Sequence, residues 1–152
     1  RSTQGRSAAA SDVYKRQSSQ FKDLKIFFFH NTIYSRVWAD PQRYYKPQDV
    51  DELIRWDPET RVIIVGDASM APYELMHPNG AIYVDAKPSG TSIERLRFIA
   101  GTFPHSVWLN PMPSDEWYYS TTVKAIRQVF TMYELTLDGL EKAVQFLTSS
   151  AK

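Results

Sequence analysis

The chain has 152 residues, with 18 basic and 17 acidic side chains interspersed to a net charge of +1 and an aromatic fraction of 14%. One domain or part of one is expected, able to bury roughly two-thirds of its unfolded surface, and so even a charge balance builds no basic stripe for nucleic acid. No apolar run approaches the roughly 18–20 residues that span a bilayer, no signal-peptide apolar segment opens the chain, and zero cysteines exclude disulfides, thiolate catalysis and cysteine-type zinc sites.

A cytoplasmic protein with neither nucleic acid nor membrane as partner is the expectation. Residues Arg1 to about Gln20 are dominated by Ser, Ala, Gln and Arg without hydrophobic periodicity, so they are expected to be disordered and outside the fold. Within them, Ser7-Ala8-Ala9-Ala10-Ser11-Asp12-Val13-Tyr14-Lys15-Arg16-Gln17 resembles a translated sequencing-adaptor scar of the kind found at the ends of gene fragments assembled from environmental DNA. On that reading the native sequence starts near Ser18 and its true beginning is missing.

Leu24–Phe29 has the composition of an apolar strand, and Thr32–Trp38 alternates Ile33, Ser35 and Val37 against Thr32, Tyr34, Arg36 and Trp38. The two are expected to form a hairpin turning near His30-Asn31, its second strand at the sheet edge and ended by Asp40-Pro41. Pro47 at a first helical position, with Val50, Leu53 and Ile54 at helical spacing, predicts a short helix closed by Asp57-Pro58. Met70–Met76 is expected to be a short helix interrupted near its start by Pro72, and Gly80–Asp85 a short extended piece.

Thr91-Ser92-Ile93-Glu94 has capping-box spacing and predicts a helix through Leu96 and Ile99 to about Gly101. Ser106–Leu109 is expected to be a short buried strand stopped by Asn110-Pro111. Two helices complete the chain: Glu116–Phe130, with Val123, Ile126 and Phe130 on one face, and a helix from about Thr136 with Leu137, Leu140, Val144 and Leu147 aligned.

The stretch that organises these elements is Val62-Ile63-Ile64-Val65-Gly66-Asp67. Four consecutive β-branched residues cannot alternate between core and solvent, so they predict a central parallel strand buried on both faces. The expected architecture is α/β: a three-layer, doubly wound, mostly parallel sheet with an antiparallel edge. Asp67 then stands at a strand's carboxyl end, where open α/β sheets bind ligands, although an Asp there, or Ser69, also serves as the N-cap of a following helix.

His30, Asn31 and Asn110 also end strands and Ser69 follows Asp67 closely, so a shared rim of these residues holding a hard cation through Asp67, water and neutral oxygens is chemically sensible. Asn31 equally suits a tight turn, because Asn tolerates left-handed backbone. His77 and His105 adjoin prolines with no partner at zinc-ligand spacing and are expected at the surface. Ser69 and Ser106 lack the glycine-flanked elbow of a hydrolase nucleophile.

Phe21-Lys22-Asp23-Leu24, Phe29-His30-Asn31-Thr32-Ile33-Tyr34, Val65–Leu75, Val107-Trp108-Leu109-Asn110-Pro111 and Leu135-Thr136-Leu137-Asp138-Gly139-Leu140 carry a family resemblance. In these strings the chain resembles the C-terminal part of bacterial von Willebrand factor type A (VWA) proteins of the CoxE-like group, from about Phe21 onward. The resemblance implies a Rossmann-like, doubly wound fold with a metal-ion-dependent adhesion site (MIDAS) built from three loops. An Asp-x-Ser/Gly-x-Ser loop and a Thr loop have no match here, whereas the third ligand, an Asp, matches Asp67.

The same resemblance implies that the family's first strand, central in its sheet, is missing between the hairpin strands and the strand ending at Asp67. It further implies a protein-interaction and assembly module rather than an enzyme, holding Mg²⁺ in the full-length protein and working with a protein partner, a MoxR-type AAA+ ATPase, in maturing other proteins. The competing class is an α/β hydrolase or phosphatase using Asp67, for which the sequence offers no second carboxylate before Glu74. Sequencing the gene upstream of this fragment should reveal a strand ending in Asp-x-Ser/Gly-x-Ser; a continuous reading frame without it would leave the metal assignment on Asp67 alone and remove its basis.

Overall fold

Five consecutive residues, Ser106–Asn110, are all buried, and the sheet is built outward from them. The computed structural model describes residues 23–78 and 90–149. In chain order its elements are β1 (Arg36–Trp38), β2 (Pro47–Asp49), a 3-10 helix (Val50–Arg55), β3 (Val62–Val65), α1 (Pro72–Met76) and α2 (Ser92–Thr102). There follow β4 (Ser106–Asn110), a 3-10 turn (Trp117–Tyr119), α3 (Thr121–Arg127), β5 (Thr131–Glu134) and α4 (Leu137–Thr148). β3, β4 and β5 form a parallel sheet in that order, and β1 pairs with β2 in a separate antiparallel ladder. The protein is thus mixed α/β, with a three-stranded parallel sheet flanked by helices.

The register sets the two faces. Ile64, Trp108 and Met132 lie side by side across the sheet and share a core with Leu96 and Ile99 of α2 and Val123 and Ile126 of α3. Val107 and Leu109 point the other way and pack with Ala143 and Leu147 of α4. The expectation that Val62–Val65 is the central strand is corrected here: among the described strands β4 is central, and β3 has only β4 as a ladder partner. Ile63 and Val65 are 46% and 48% exposed. They share the face of Val107 and Leu109, but α4 covers β4 and β5 and leaves β3 bare.

The hairpin expectation is also corrected. Leu24–Phe29 is not a strand; its one ladder contact is an antiparallel bridge from Phe28 to Trp38. The ladder stops there because other groups take the intervening carbonyls: Ser92 Oγ donates to Ile33 O and the Val50 N–H to Ser35 O. β1 pairs instead with β2, and Pro47 begins that edge strand rather than a helix, a position where its missing N–H costs no ladder bond. The turn itself is as expected, with a bridge from His30 to Thr32 and Asn31 in the left-handed region at φ 56°.

Side chains join this unit to the rest. The Thr32 hydroxyl contacts Ser92 Oγ, whose own proton goes to Ile33 O, so Thr32 is the donor. Arg95 of α2 pairs with Asp51. Ile33, Val37, Val50 and Leu53 enter the main core. The Thr91 box forms as its spacing predicts: Thr91 Oγ1 accepts the Glu94 N–H at 3.3 Å and Glu94 Oε2 accepts the Thr91 N–H at 2.8 Å. Pro72 is the first residue of α1 and does not interrupt it. The expected piece at Gly80–Asp85 and the assignment of residues 1–20 lie outside the described residues.

The C-terminal part departs most from expectation. The single helix predicted over Glu116–Phe130 is a 3-10 turn followed by α3, because Ser120 caps a new start by accepting the Val123 N–H. Thr131–Glu134, unassigned between the two predicted helices, is β5. In α4 the core-facing residues are Gly139, Ala143 and Leu147, and Leu137 is 89% exposed. The stripe through Leu137, Leu140 and Val144 therefore lies off the sheet-facing side.

Gly139 explains the rotation. A Cβ there would sit 1.8 Å from Glu134 O, so α4 approaches β5 at a point where only glycine fits. Gly139→Ala gains roughly 1 kcal/mol of helix propensity but must displace backbone, an overpacking cost of about 1–3 kcal/mol or more. Chemical denaturation of Gly139→Ala should show a net loss of stability; an unchanged or raised midpoint would mean that α4 docks differently.

Candidate functional site

β3 ends where two groups of β4 hold it: the Gly66 N–H donates to Leu109 O at 3.1 Å, and Trp108 Nε1–H donates to Gly66 O at 2.7 Å. The next residue is Asp67, exposed at the carboxyl edge of the sheet. Its Oδ1 accepts the Ser69 N–H at 3.0 Å, closing a local turn. Neither Asp67 nor Ser69 caps α1, whose N-cap is Ala71. The first-turn donor there is met by Glu74, whose Oε2 accepts the Ala71 N–H at 3.2 Å.

Two buried side chains fix the loop from behind. Asn110, fully buried at the end of β4, donates from Nδ2 to Asp67 O at 2.9 Å and accepts the Met112 N–H on Oδ1 at 2.8 Å. Thr122, also buried, donates to Ala68 O at 2.8 Å and accepts the Met70 N–H at 3.2 Å. Between them Ala68 is buried with φ 57°, a left-handed conformation costing roughly 1–2 kcal/mol for a residue with a Cβ. Held so, the Asp67 carboxylate is left facing solvent.

The other expected rim residues divide. Asn110 belongs to the site, but as a clamp on main chain, with both ends of its amide engaged. Ser69 belongs to the loop through its N–H. Asn31 Nδ2 donates to Glu74 Oε1 at 3.0 Å, so it joins the turn of the N-terminal unit to α1. Burial pushes the Tyr34 phenol up, and the nearby charge of Glu74 adds to the shift. His30 is exposed in the same turn. Of the two remaining histidines, His77 stacks on Tyr73 with centroids 4.5 Å apart. His105 is not fully at the surface as expected: its Nε2 lies 3.6 Å from Glu59 Oε2 and its side chain is 15% exposed.

Thr122 and Glu74 were not singled out by sequence reasoning. Glu74 had a readable signal, the Ala71-Pro72-Tyr73-Glu74 spacing of a helix start. Thr122 had none, because the loop groups it holds lie more than fifty residues away. Beyond the loop, Ser69, Met112, Glu116, Tyr119 and Ser120 line an open cleft of about 380 Å³. At the end of β5 the Glu134 carboxyl is held below the usual carboxylate range by the Ser114 hydroxyl and by the Ser114 N–H, which donates at 2.6 Å.

As a cation site the described residues supply one vertex. Asp67 is an accessible carboxylate, but no group of three His, Cys, Asp or Glu residues converges among the described residues. Mg²⁺ asks for near-octahedral oxygen geometry, so the described part of the chain does not make a complete Mg²⁺ site. No described helix is long and apolar enough to cross a membrane. Comparison with family models, with curated proteins and with solved structures gives no match.

The clamp can be tested apart from any ligand. Thr122→Val removes the hydroxyl and leaves Ala68 O and the Met70 N–H without their partner, a loss of about 1–3 kcal/mol. Thr122→Ser, which keeps the hydroxyl, should retain most of the stability. Equal urea midpoints for the Val variant and the parent chain would show that the hydroxyl does not hold the loop.

Proposed function

We propose that this chain is the C-terminal part of a metal-dependent protein-interaction module of the von Willebrand factor A type, CoxE-like group. The observation that carries the reading is the presentation of Asp67: an accessible carboxylate at the carboxyl end of a parallel strand, unused as a helix cap, its loop gripped by the buried Asn110 and Thr122. That is where open α/β sheets bind ligands. The outer edge of β3 adds support, since Ile63 and Val65 are half-exposed and their outward backbone groups meet no described strand. A further strand entering at that edge, with a ligand loop at its carboxyl end, would stand beside Asp67 and complete a doubly wound sheet.

In the full-length protein Asp67 supplies one oxygen ligand to Mg²⁺, and the ion presents an open position to a carboxylate of a protein partner. A MoxR-type AAA+ ATPase is the partner class that the resemblance names, with a role in maturing other proteins in the cytoplasm. The hydrolase reading has less support. A nucleophilic Asp67 needs an acid or base beside it, and Glu74, the next carboxylate along the chain, is buried and engaged with Asn31 and Ala71.

The present chain should show no Mg²⁺-dependent rise in melting temperature. The same protein extended through its upstream sequence should show a clear rise that Asp67→Ala abolishes, since a ligand stabilises only a native site that binds it more tightly than the unfolded chain does. A cooperative, monomeric, Mg²⁺-stabilised form of the present chain would overturn the missing-strand reading. Turnover of generic phosphate or ester substrates, lost in Asp67→Ala, would favour the hydrolase instead.

A further inference from the structure

The 3-10 turn after β4 presents three aromatic rings in succession. Trp117 is buried, its Nε1–H donating to Met112 O at 2.8 Å, and it anchors the turn. That anchor leaves Tyr118 and Tyr119 projecting into solvent, Tyr119 at 84% exposure. Exposed tyrosines on an anchored turn are favoured contact anchors, because they offer large area for little lost side-chain entropy.

Two of the three rings already hold cations from α3. The Arg127 guanidinium lies 5.1 Å from the Trp117 ring and the Lys124 ammonium 5.1 Å from that of Tyr118. Tyr119 has no such partner among the described residues, and it lines the cleft together with the Glu116 carboxylate, Met112, Ser69 and Ser120. The charges at this cleft are negative: Glu116 lines it, and Asp67 adjoins it through the Ser69 N–H. A planar cation that stacks on a ring and pairs with a carboxylate matches both features, and this is guanidinium chemistry more than ammonium chemistry.

The geometry points to this cleft as a docking site for an arginine side chain of a partner protein, its guanidinium stacked on Tyr119 and paired with Glu116. The inference goes beyond the metal-dependent reading, because the recognition needs no metal. It also names the opposite partner chemistry, a basic residue beside the position where a metal would take a carboxylate.

The probe is an acetylated, amidated pentapeptide with one central arginine, titrated into the whole chain in EDTA and followed by backbone amide NMR. The same peptide with citrulline, lysine or glutamate at the centre gives the comparisons. Saturable shifts at Ser69, Met112, Glu116, Tyr119 and Ser120 are expected for the arginine peptide, with affinity weakened about fivefold or more by citrulline, which keeps the shape and removes the charge. Glu116→Gln and Tyr119→Leu should each weaken it by roughly twofold to fivefold, whereas Tyr119→Phe should bind like the parent; spectra unchanged outside the cleft show that each variant is folded.

Equal shifts with citrulline or glutamate, binding undiminished in Glu116→Gln, or no shift up to about 10 mM peptide would each overturn the assignment. Working in EDTA separates the two readings. Loss of the Mg²⁺ response leaves this result standing, and loss of arginine binding leaves the Mg²⁺ response standing.

Discussion

β4 is the constraint on which the rest of the structure depends, because it alone among the described strands has both edges paired and both faces covered. A strand so placed must satisfy every backbone group through its neighbours, and it fixes β3 and β5 in parallel register on either side. Its last residue extends that control beyond the sheet. Asn110 cannot reach water, so its amide turns to the main chain of two loops, accepting from Met112 and donating to Asp67. The shape of the Asp67 loop is thereby set by the core, and the exposed carboxylate inherits its position from a buried amide four strand residues after Ser106.

The N-terminal unit is held differently. Among the described residues no ladder joins β1 and β2 to β3, and the polar links across the junction include Thr32 with Ser92, Ser92 with Ile33 O, Asn31 with Glu74, and Arg95 with Asp51. The hydroxyl hydrogen bonds of Thr32 and Ser92 are worth about 1 kcal/mol each and the Asn31 bond to the Glu74 carboxylate about 1.5–3 kcal/mol, while the Arg95–Asp51 pair is discounted to about 0–1 kcal/mol because Asp51 is exposed. Burial of Ile33, Val37, Val50 and Leu53 in the main core, at roughly 1.5–3 kcal/mol per fully buried side chain, outweighs them. The attachment is apolar in energy and polar in specificity.

The two faces of the sheet are unequal. α2 and α3 cover one face, and on the other α4 leaves β3 bare beyond Val107 and Leu109. The flank of α4 that carries Leu140 and Val144 is turned by about 60–100° from the line of Ala143, given 3.6 residues per turn, and both side chains are roughly half-exposed. Ile63 and Val65 are likewise roughly half-exposed, and the outer edge of β3 meets no described strand, a combination that natural sheets ordinarily protect.

Local chemistry in the sequence determined several features: the Thr91 capping box, the strand at Val62–Val65, the left-handed turn at Asn31, and the place of Asp67 just after a strand end. Each depends on residues within a few positions of one another, so spacing alone carries the information. Which strand is central was decided only by the tertiary structure, since a run of β-branched residues shows capacity for burial and not how much of it a neighbouring helix covers. The same holds for β5, whose four residues Thr131–Glu134 have no strong periodicity and become a strand because β4 offers them a partner edge. The inward face of α4 was decided by the close approach at Gly139, which outweighed the more hydrophobic stripe of leucines. The clamp on Asp67 was equally invisible along the chain: Asn110 and Thr122 stand 43 and more than fifty residues from the loop they hold, and only packing β4 and α3 against β3 makes one fully buried amide and one hydroxyl the natural partners of its carbonyls.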